Sequence, residues 1–280
     1  MRLGQIQWNN AVTAAIFEGQ IARPIPEHTI YELICRAEKE GVSLKAVASR
    51  LVTGQRLPAV SLIPVKPTEV WACGCTYQTS ASFRDAEHGT REGFYAHVYR
   101  EKRPEIFFKG TARTCVGPGQ TIGIRSDSKF TAPEPELAVI LGSKGKVLGY
   151  TLANDVSAWD IERENPLYLP QSKMYAGACA LGPVIVTADE VPDPYTLQMT
   201  CKIERDGKTI FSGETSTSQL SRKIEDLLHY LLLANPVPAG SVLLTGTGII
   251  VTEESALAAG DVVTISVLEI GTLVNTAGIV

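Results

Sequence analysis

Apolar and polar positions follow one rhythm up to about residue 67 and another beyond it. In the first stretch, Arg2 to Trp8 and Ala11 to Phe17 read as short strand-like runs. Two helices follow, marked by their caps. Thr29-Ile-Tyr-Glu32 reads as a capping box that opens a helix ended by Gly41, and Ser43 opens a second helix that stops near Gly54. Residues 1–66 are therefore expected to form a small α+β domain. Between Leu57 and Pro67 the prolines at 58, 64 and 67 interrupt an apolar segment, which reads as the passage to the next domain.

Residues 67–280 have a different texture, in which short β-branched runs are separated by Gly, Pro and Asp. Strands are predicted over Val70 to Cys75, Glu105 to Lys109, Leu137 to Leu141, Val147 to Ala153, Pro183 to Thr187, Leu197 to Glu204, Val242 to Thr245 and Val262 to Glu269. Helices are predicted over Phe83 to Arg103, interrupted by Gly89 and Gly93, and over Ser221 to Leu233, which is amphipathic. The fold class is α+β, with a mostly β larger domain.

Composition narrows the partners. A chain of 280 residues that is 44% hydrophobic can bury a large core. Its net charge of −4 carries no long runs, so it offers no electrostatic footprint for nucleic acid or an anionic membrane, and a small molecule is the expected partner. No window approaches a membrane span and the N-terminus lacks a signal-peptide stretch, which predicts a cytoplasmic protein. Six scattered cysteines suit a reducing compartment. Cys73-Gly-Cys75 has no second Cys/His pair at zinc spacing, so it reads as strand packing.

Candidate chemistry begins at Glu134-Pro-Glu136, which leads directly into an apolar strand. Residues two apart on a strand share a face, so both acids point the same way. Gly142 to Lys146 reads as a turn. If Gly142 lies opposite Val147, then Glu134 lies opposite Asp155, and the three carboxylates gather on one patch. Such a patch is costly without protons or a cation, and all-oxygen donors select a hard ion. Mg²⁺ is expected first, with Mn²⁺ and Ca²⁺ as alternatives. The bland alternative is a pair of solvated charges on an edge strand, where Pro133 and Pro135 would also fit.

Gly149-Tyr-Thr-Leu-Ala-Asn-Asp155-Val-Ser-Ala-Trp-Asp160, after Glu134-Pro-Glu136 and before Gln171-Ser-Lys173, resembles the fumarylacetoacetate hydrolase family. The likeness continues through Ala180-Leu-Gly-Pro183, Leu244-Thr-Gly-Thr247-Gly and the segment from Gly260 to Asn275. The resemblance implies a mixed β-roll, a homodimer or higher homo-oligomer, and a 2-oxo acid or diketone substrate. By it, Glu134, Glu136 and Asp155 are the metal ligands, and Lys173 is the active-site lysine. Lys109, Gln171 and Thr247 are the groups near the substrate. A cation on the carboxylate and C2 oxygens would stabilise the enolate formed when a C3 proton leaves, and an amine beside that cation is the natural base.

Many hydrolases of the family activate water with a His and a Glu three residues apart. Here the corresponding positions are Ser80 and Phe83, neither of which is a base. Val70 to Ser80, Arg103 to Lys109 and Asn165 to Gln171 look closer to the 2-keto-3-deoxy-D-arabinonate dehydratase branch, whose reaction needs no water nucleophile. The resemblance thus implies a metal-dependent lyase that turns a 2-keto-3-deoxy sugar acid into a 2,5-dioxo acid semialdehyde. Glu87 and His88 are the nearest candidates for the acid that assists loss of the hydroxyl, with a surface pair as their bland reading. A hydrolase or isomerase of diketo acids is the alternative.

Overall fold

The computed structural model describes the backbone of residues 1–87 and 94–280 and the side chains of residues 1–82 and 95–280, and the structural statements below concern those. The N-terminal strand-like runs fold into a hairpin of β1 (Arg2–Trp8) and β2 (Ala11–Glu18). Asn9 and Asn10 join them at φ 49° and 62°, the left-handed geometry a two-residue hairpin needs and asparagine tolerates. A further strand, β3 (Ile21–Ile25), pairs with β2 and includes Pro24, which has no backbone donor. The capping box of Thr29 and Glu32 forms in full on α1 (Ile30–Glu40), which Gly41 ends at φ 67°. α2 (Leu44–Leu51) follows Ser43, and β4 (Leu57–Pro58) opens the proline-rich connector by pairing with β3.

Beyond the connector lie β5 (Val70–Gly74), α3 (Gln78–Glu87), α4 (Phe94–Arg100), β6 (Glu105–Gly110), β7 (Cys115–Val116), β8 (Thr121–Ile124) and β9 (Thr131–Ala132). Then come β10 (Pro135–Leu141), β11 (Val147–Asp155), β12 (Ser157–Ala158), α5 (Trp159–Glu164), α6 (Leu169–Lys173) and β13 (Cys179–Thr187). The chain closes with β14 (Gln198–Arg205), β15 (Lys208–Ser216), α7 (Ile224–Leu232), β16 (Val242–Leu244), β17 (Val262–Val267) and β18 (Gly271–Ile279). The segment expected to be helical over Phe83 to Arg103, with interruptions at Gly89 and Gly93, holds the end of α3 and the whole of α4 among the described residues. The helix expected from Ser221 starts at Ile224, after the extended Lys223. Among the described residues no helix is long and apolar enough to cross a membrane.

One long sheet runs in the order β4-β3-β2-β1-β13-β11-β10-β16-β5-β6, with β7 also pairing β13; a second runs β15-β14-β17-β18-β8. The long sheet is continuous across the connector because β1 pairs with β13, Arg2 opposite Val186. At its middle, β10 is buried along its whole length between β11 and β16. Leu137, Val139 and Leu141 enter the core beneath the second sheet, whereas Ala138 and Ile140 enter the core formed with α1 and α2. Burying each large apolar side chain contributes about 1.5–3 kcal/mol, so this two-sided strand is held firmly in place. Glu134 and Glu136 continue the even-numbered row of that strand.

Candidate active site

The β10–β11 hairpin assembles the acids, by a route that differs in detail from the expected one. Near the turn Leu141, and not Gly142, lies opposite Val147, a register that would set Glu134 against Asn154 if it ran on. A bulge at Leu148 adds one residue to β11, and from Ile140–Gly149 onward the ladder pairs Glu136 with Ala153 and Pro135 with Asn154. The Asp155 amide accordingly donates to the Glu134 carbonyl at 2.9 Å. The carboxylates of Glu134, Glu136 and Asp155 converge, each offering an oxygen within 4.8 Å of the others, and all three are buried.

Two buried lysines reach the same acids. Lys173, at the end of α6, donates from Nζ to Glu134 Oε2 at 3.0 Å, to Asp155 Oδ2 at 3.2 Å and to Ser157 Oγ at 2.6 Å. Lys109, on β6, forms an ion pair with Asp155 Oδ1 at 2.5 Å and donates to the Val156 carbonyl at 2.9 Å. Trp159 Nε1 donates to Glu134 Oε1 at 3.1 Å, and the Gly246 amide donates to Glu136 Oε2 at 2.5 Å. Gly246 sits at φ 94°, where a side chain is strained, and a Cβ there would meet Thr76 Oγ1 at 2.0 Å.

The electrostatics are unequal. Burial, and then the charges of Asp155 and Glu134, push the Glu136 carboxyl well above the ordinary carboxylate range. Burial would raise Asp155 too, but the ammoniums of Lys109 and Lys173 outweigh it and hold that carboxyl below its usual value. Glu134, Glu136 and Asp155, with Glu162 beside Lys173, outnumber the two ammoniums, and a proton on the raised Glu136 carboxyl relieves part of that excess in a metal-free site. A hard divalent cation offers the same relief. Each carboxylate can accept several contacts, so the lysines do not exhaust the donor set, and the residues present fit Mg²⁺.

The match to the family model of the fumarylacetoacetate hydrolase C-terminal domain spans residues 75–277. The chain belongs to the fumarylacetoacetate hydrolase family. Within it, the chain is 50% identical over 215 residues to a 2-dehydro-3-deoxy-D-arabinonate dehydratase of Saccharolobus solfataricus, covering 76% of this chain and 72% of that one. It is 45% identical over 214 residues to a probable 2-keto-3-deoxyxylonate dehydratase of Haloferax volcanii, covering 76% and 73%. A solved structure of 2-keto-3-deoxy-D-arabinonate dehydratase complexed with magnesium and 2,5-dioxopentanoate superposes with a TM-score of 0.86 at 38% identity, covering 100% of this chain and 99% of that one. The family resemblance and the α+β fold expected from sequence are thereby borne out.

Other residues named from sequence lie at varied distances from this cluster. Thr247 is buried and lines a narrow recess with Ser80, Pro133, Glu134 and Trp159, its hydroxyl engaged with the backbone of Ile249. Gln171 is on the exposed side of α6, where its carbonyl accepts from Arg125. Glu87 closes α3, but its side chain, the side chain of Phe83 and the whole of His88 lie outside the described residues. Glu162 escaped notice in the sequence. It is buried, its Oε2 is 3.9 Å from Lys173 Nζ, and with Glu105 it lines a cavity of about 400 Å³. The signal was present: Trp159 and Glu162 are three apart on α5, which puts the acid on the helix's buried side.

Proposed function

We propose that this chain is a magnesium-dependent dehydratase that converts a 2-keto-3-deoxy sugar acid to a 2,5-dioxo acid semialdehyde. The observation that carries this reading is the Lys173 amine set against the three convergent carboxylates; the alignment by resemblance of the family's water-activating pair with Ser80 and Phe83, neither a base, supports it. The dehydratase names of the two relatives, and the magnesium and 2,5-dioxopentanoate in the superposed structure, support it.

In this proposal Glu134, Glu136 and Asp155 would hold the ion, whose charge would favour the neutral amine of Lys173 over its ammonium, and that amine takes the proton from C3. Ser157 fixes the direction of Lys173 by accepting from it while donating to the Asp155 carbonyl at 2.8 Å. Lys109 keeps Asp155 ionised and aimed. Magnesium, when bound, supplies positive charge to the C2 oxygen as electrons move away from C3. The C4 hydroxyl leaves with one proton as water, and Glu87 and His88 are assigned as its acid. The C3–C4 double bond then shifts toward C5, and the terminal alcohol becomes an aldehyde with no external oxidant. Thr247 and Gln171 are assigned to the oxo acid, Gln171 by turning its amide inward from the surface.

Three further assignments belong to the same proposal: a cytoplasmic location, suited to six free cysteines; a homodimer; and a division into residues 1–66 and 67–280 that share one sheet. Sedimentation of the purified protein at twice the chain mass checks the dimer.

The decisive assay incubates the protein and Mg²⁺ separately with 2-keto-3-deoxyarabinonate and with an acylpyruvate. A semialdehyde formed without chain cleavage supports dehydration. Pyruvate and a second acid released from the acylpyruvate, with the sugar acid untouched, would replace this reading with hydrolysis.

A further inference from the structure

The geometry points to Glu162 as the residue that selects the substrate's tail, its carboxylate receiving hydroxyls beyond C3 and turning away a second carboxylate. This inference rests on the dehydratase reading above and deepens it.

The inward side of α5 reaches the site at two places. Trp159 donates to the ligand Glu134, and Glu162 stands 3.9 Å from the Lys173 amine with Ser172 Oγ donating to it at 3.4 Å. A base that removes a C3 proton must touch C3. The chain beyond C3 therefore leaves Lys173 within reach of Glu162 and of the cavity that Glu162 lines.

That cavity has room for a short polyhydroxy tail, and its wall is chemically selective. Tyr95, Val98 and Leu169 supply apolar surface, while Glu105 and Glu162 supply carboxylates. Hydroxyl groups donate to a buried carboxylate in short, charge-assisted hydrogen bonds. A second substrate carboxylate would instead meet the Glu105 and Glu162 carboxylates across the cavity, with the Lys173 amine already engaged by Glu134 and Asp155. The Arg103 guanidinium, also at the cavity, is exposed and lies 5.1 Å from the ring centre of Tyr230. The tail site thus favours monocarboxylic, hydroxylated 2-oxo acids over the dicarboxylic ones.

The test compares the unaltered protein with Glu162→Gln, which keeps the shape, and Glu162→Ala, all with Mg²⁺. KM and kcat are measured on a five-carbon 2-keto-3-deoxy sugar acid, and inhibition constants are measured for pyruvate, which has no tail, and for 2-oxoglutarate, which ends in a carboxylate. Loss of hydrogen bonds to a charged group predicts a KM for the sugar acid raised about 10- to 100-fold in Glu162→Ala. Pyruvate should bind within about twofold of its original strength, and 2-oxoglutarate several-fold more tightly, because only the tail site has changed. Equal weakening of pyruvate and sugar acid would overturn the assignment in favour of a structural role. So would an unchanged KM, or no gain for 2-oxoglutarate. If the unaltered protein fails to dehydrate the sugar acid, the proposed reaction falls on its own. Calorimetric titration of the same three acids with Mg²⁺ then still tests Glu162, whose substitution must erase the preference for the hydroxylated acid over 2-oxoglutarate.

Discussion

Two lysines buried to the last atom or nearly so are rare enough to ask what holds them. Lys109 and Lys173 are both held by Asp155, and Lys173 by Glu134 as well, so each ammonium enters the interior with its countercharge. Removing one partner of a buried pair leaves the other uncompensated. Lys173→Met is accordingly expected to lose about 10²- to 10⁴-fold in kcat, the usual scale for a proton-transfer group, while still binding Mg²⁺ in calorimetry. A variant that kept half its turnover would exclude Lys173 as the base. Glu136 carries the opposite burden. Its carboxyl is raised in the folded protein, so the metal-free fold holds a proton that the unfolded chain has released. The stability this contributes is complete below the ordinary carboxylate pKa and is lost as pH climbs through the raised value. The metal-free protein should therefore melt higher near about pH 5 than about pH 8, and Glu136→Gln should shrink that difference. An unchanged difference in the variant would mean that other groups govern the pH response.

At the scale of elements, the site depends on a hairpin and a loop. Glu134 and Glu136 could be placed on one face from their spacing alone, because a strand has period two. Asp155 could not be placed so securely. The turn pairs one residue off the expected register, and only the bulge at Leu148 restores the alignment that brings Asp155 beside Glu134. The anticipated juxtaposition was right for a reason that spacing does not reveal. The loop after β16 contributes the Gly246 amide to Glu136, at a backbone conformation only glycine adopts without strain. Gly246→Ala should displace that loop and weaken Mg²⁺ binding about tenfold or more, a loss of about 1.4 kcal/mol or more, while the long sheet survives. Far-ultraviolet circular dichroism and a magnesium titration read the two effects separately. Retained affinity would show that this amide contributes little to the arrangement of Glu136.

For the whole molecule, β10 sits between two cores, and the acids stand at its end, so folding itself forces like charges together. An ion that binds only the folded protein relieves this repulsion and stabilises by mass action. Saturation at a hundred times Kd corresponds to about 2.7 kcal/mol. Magnesium is expected to raise the melting temperature by several degrees and a chelator to reverse it, with the shift absent in Glu136→Gln. A melting temperature insensitive to Mg²⁺ in the unaltered protein would argue against the ion site.

The amino-acid sequence by itself determined the caps of α1, the alternating and fully apolar strands, the shared face of Glu134 and Glu136, and the family motifs, because each depends on neighbours a few residues apart. Tertiary structure alone decided the rest. Lys109 and Lys173 meet at Asp155 from β6 and α6, elements far apart in the chain, and Glu162 becomes the wall of a cavity only when α5 comes to face α4 and β6 across it. Spacing reports which way a side chain leaves its own element, whereas which charge it then meets is set by long-range pairing, and in a dry interior that meeting determines both protonation and chemistry.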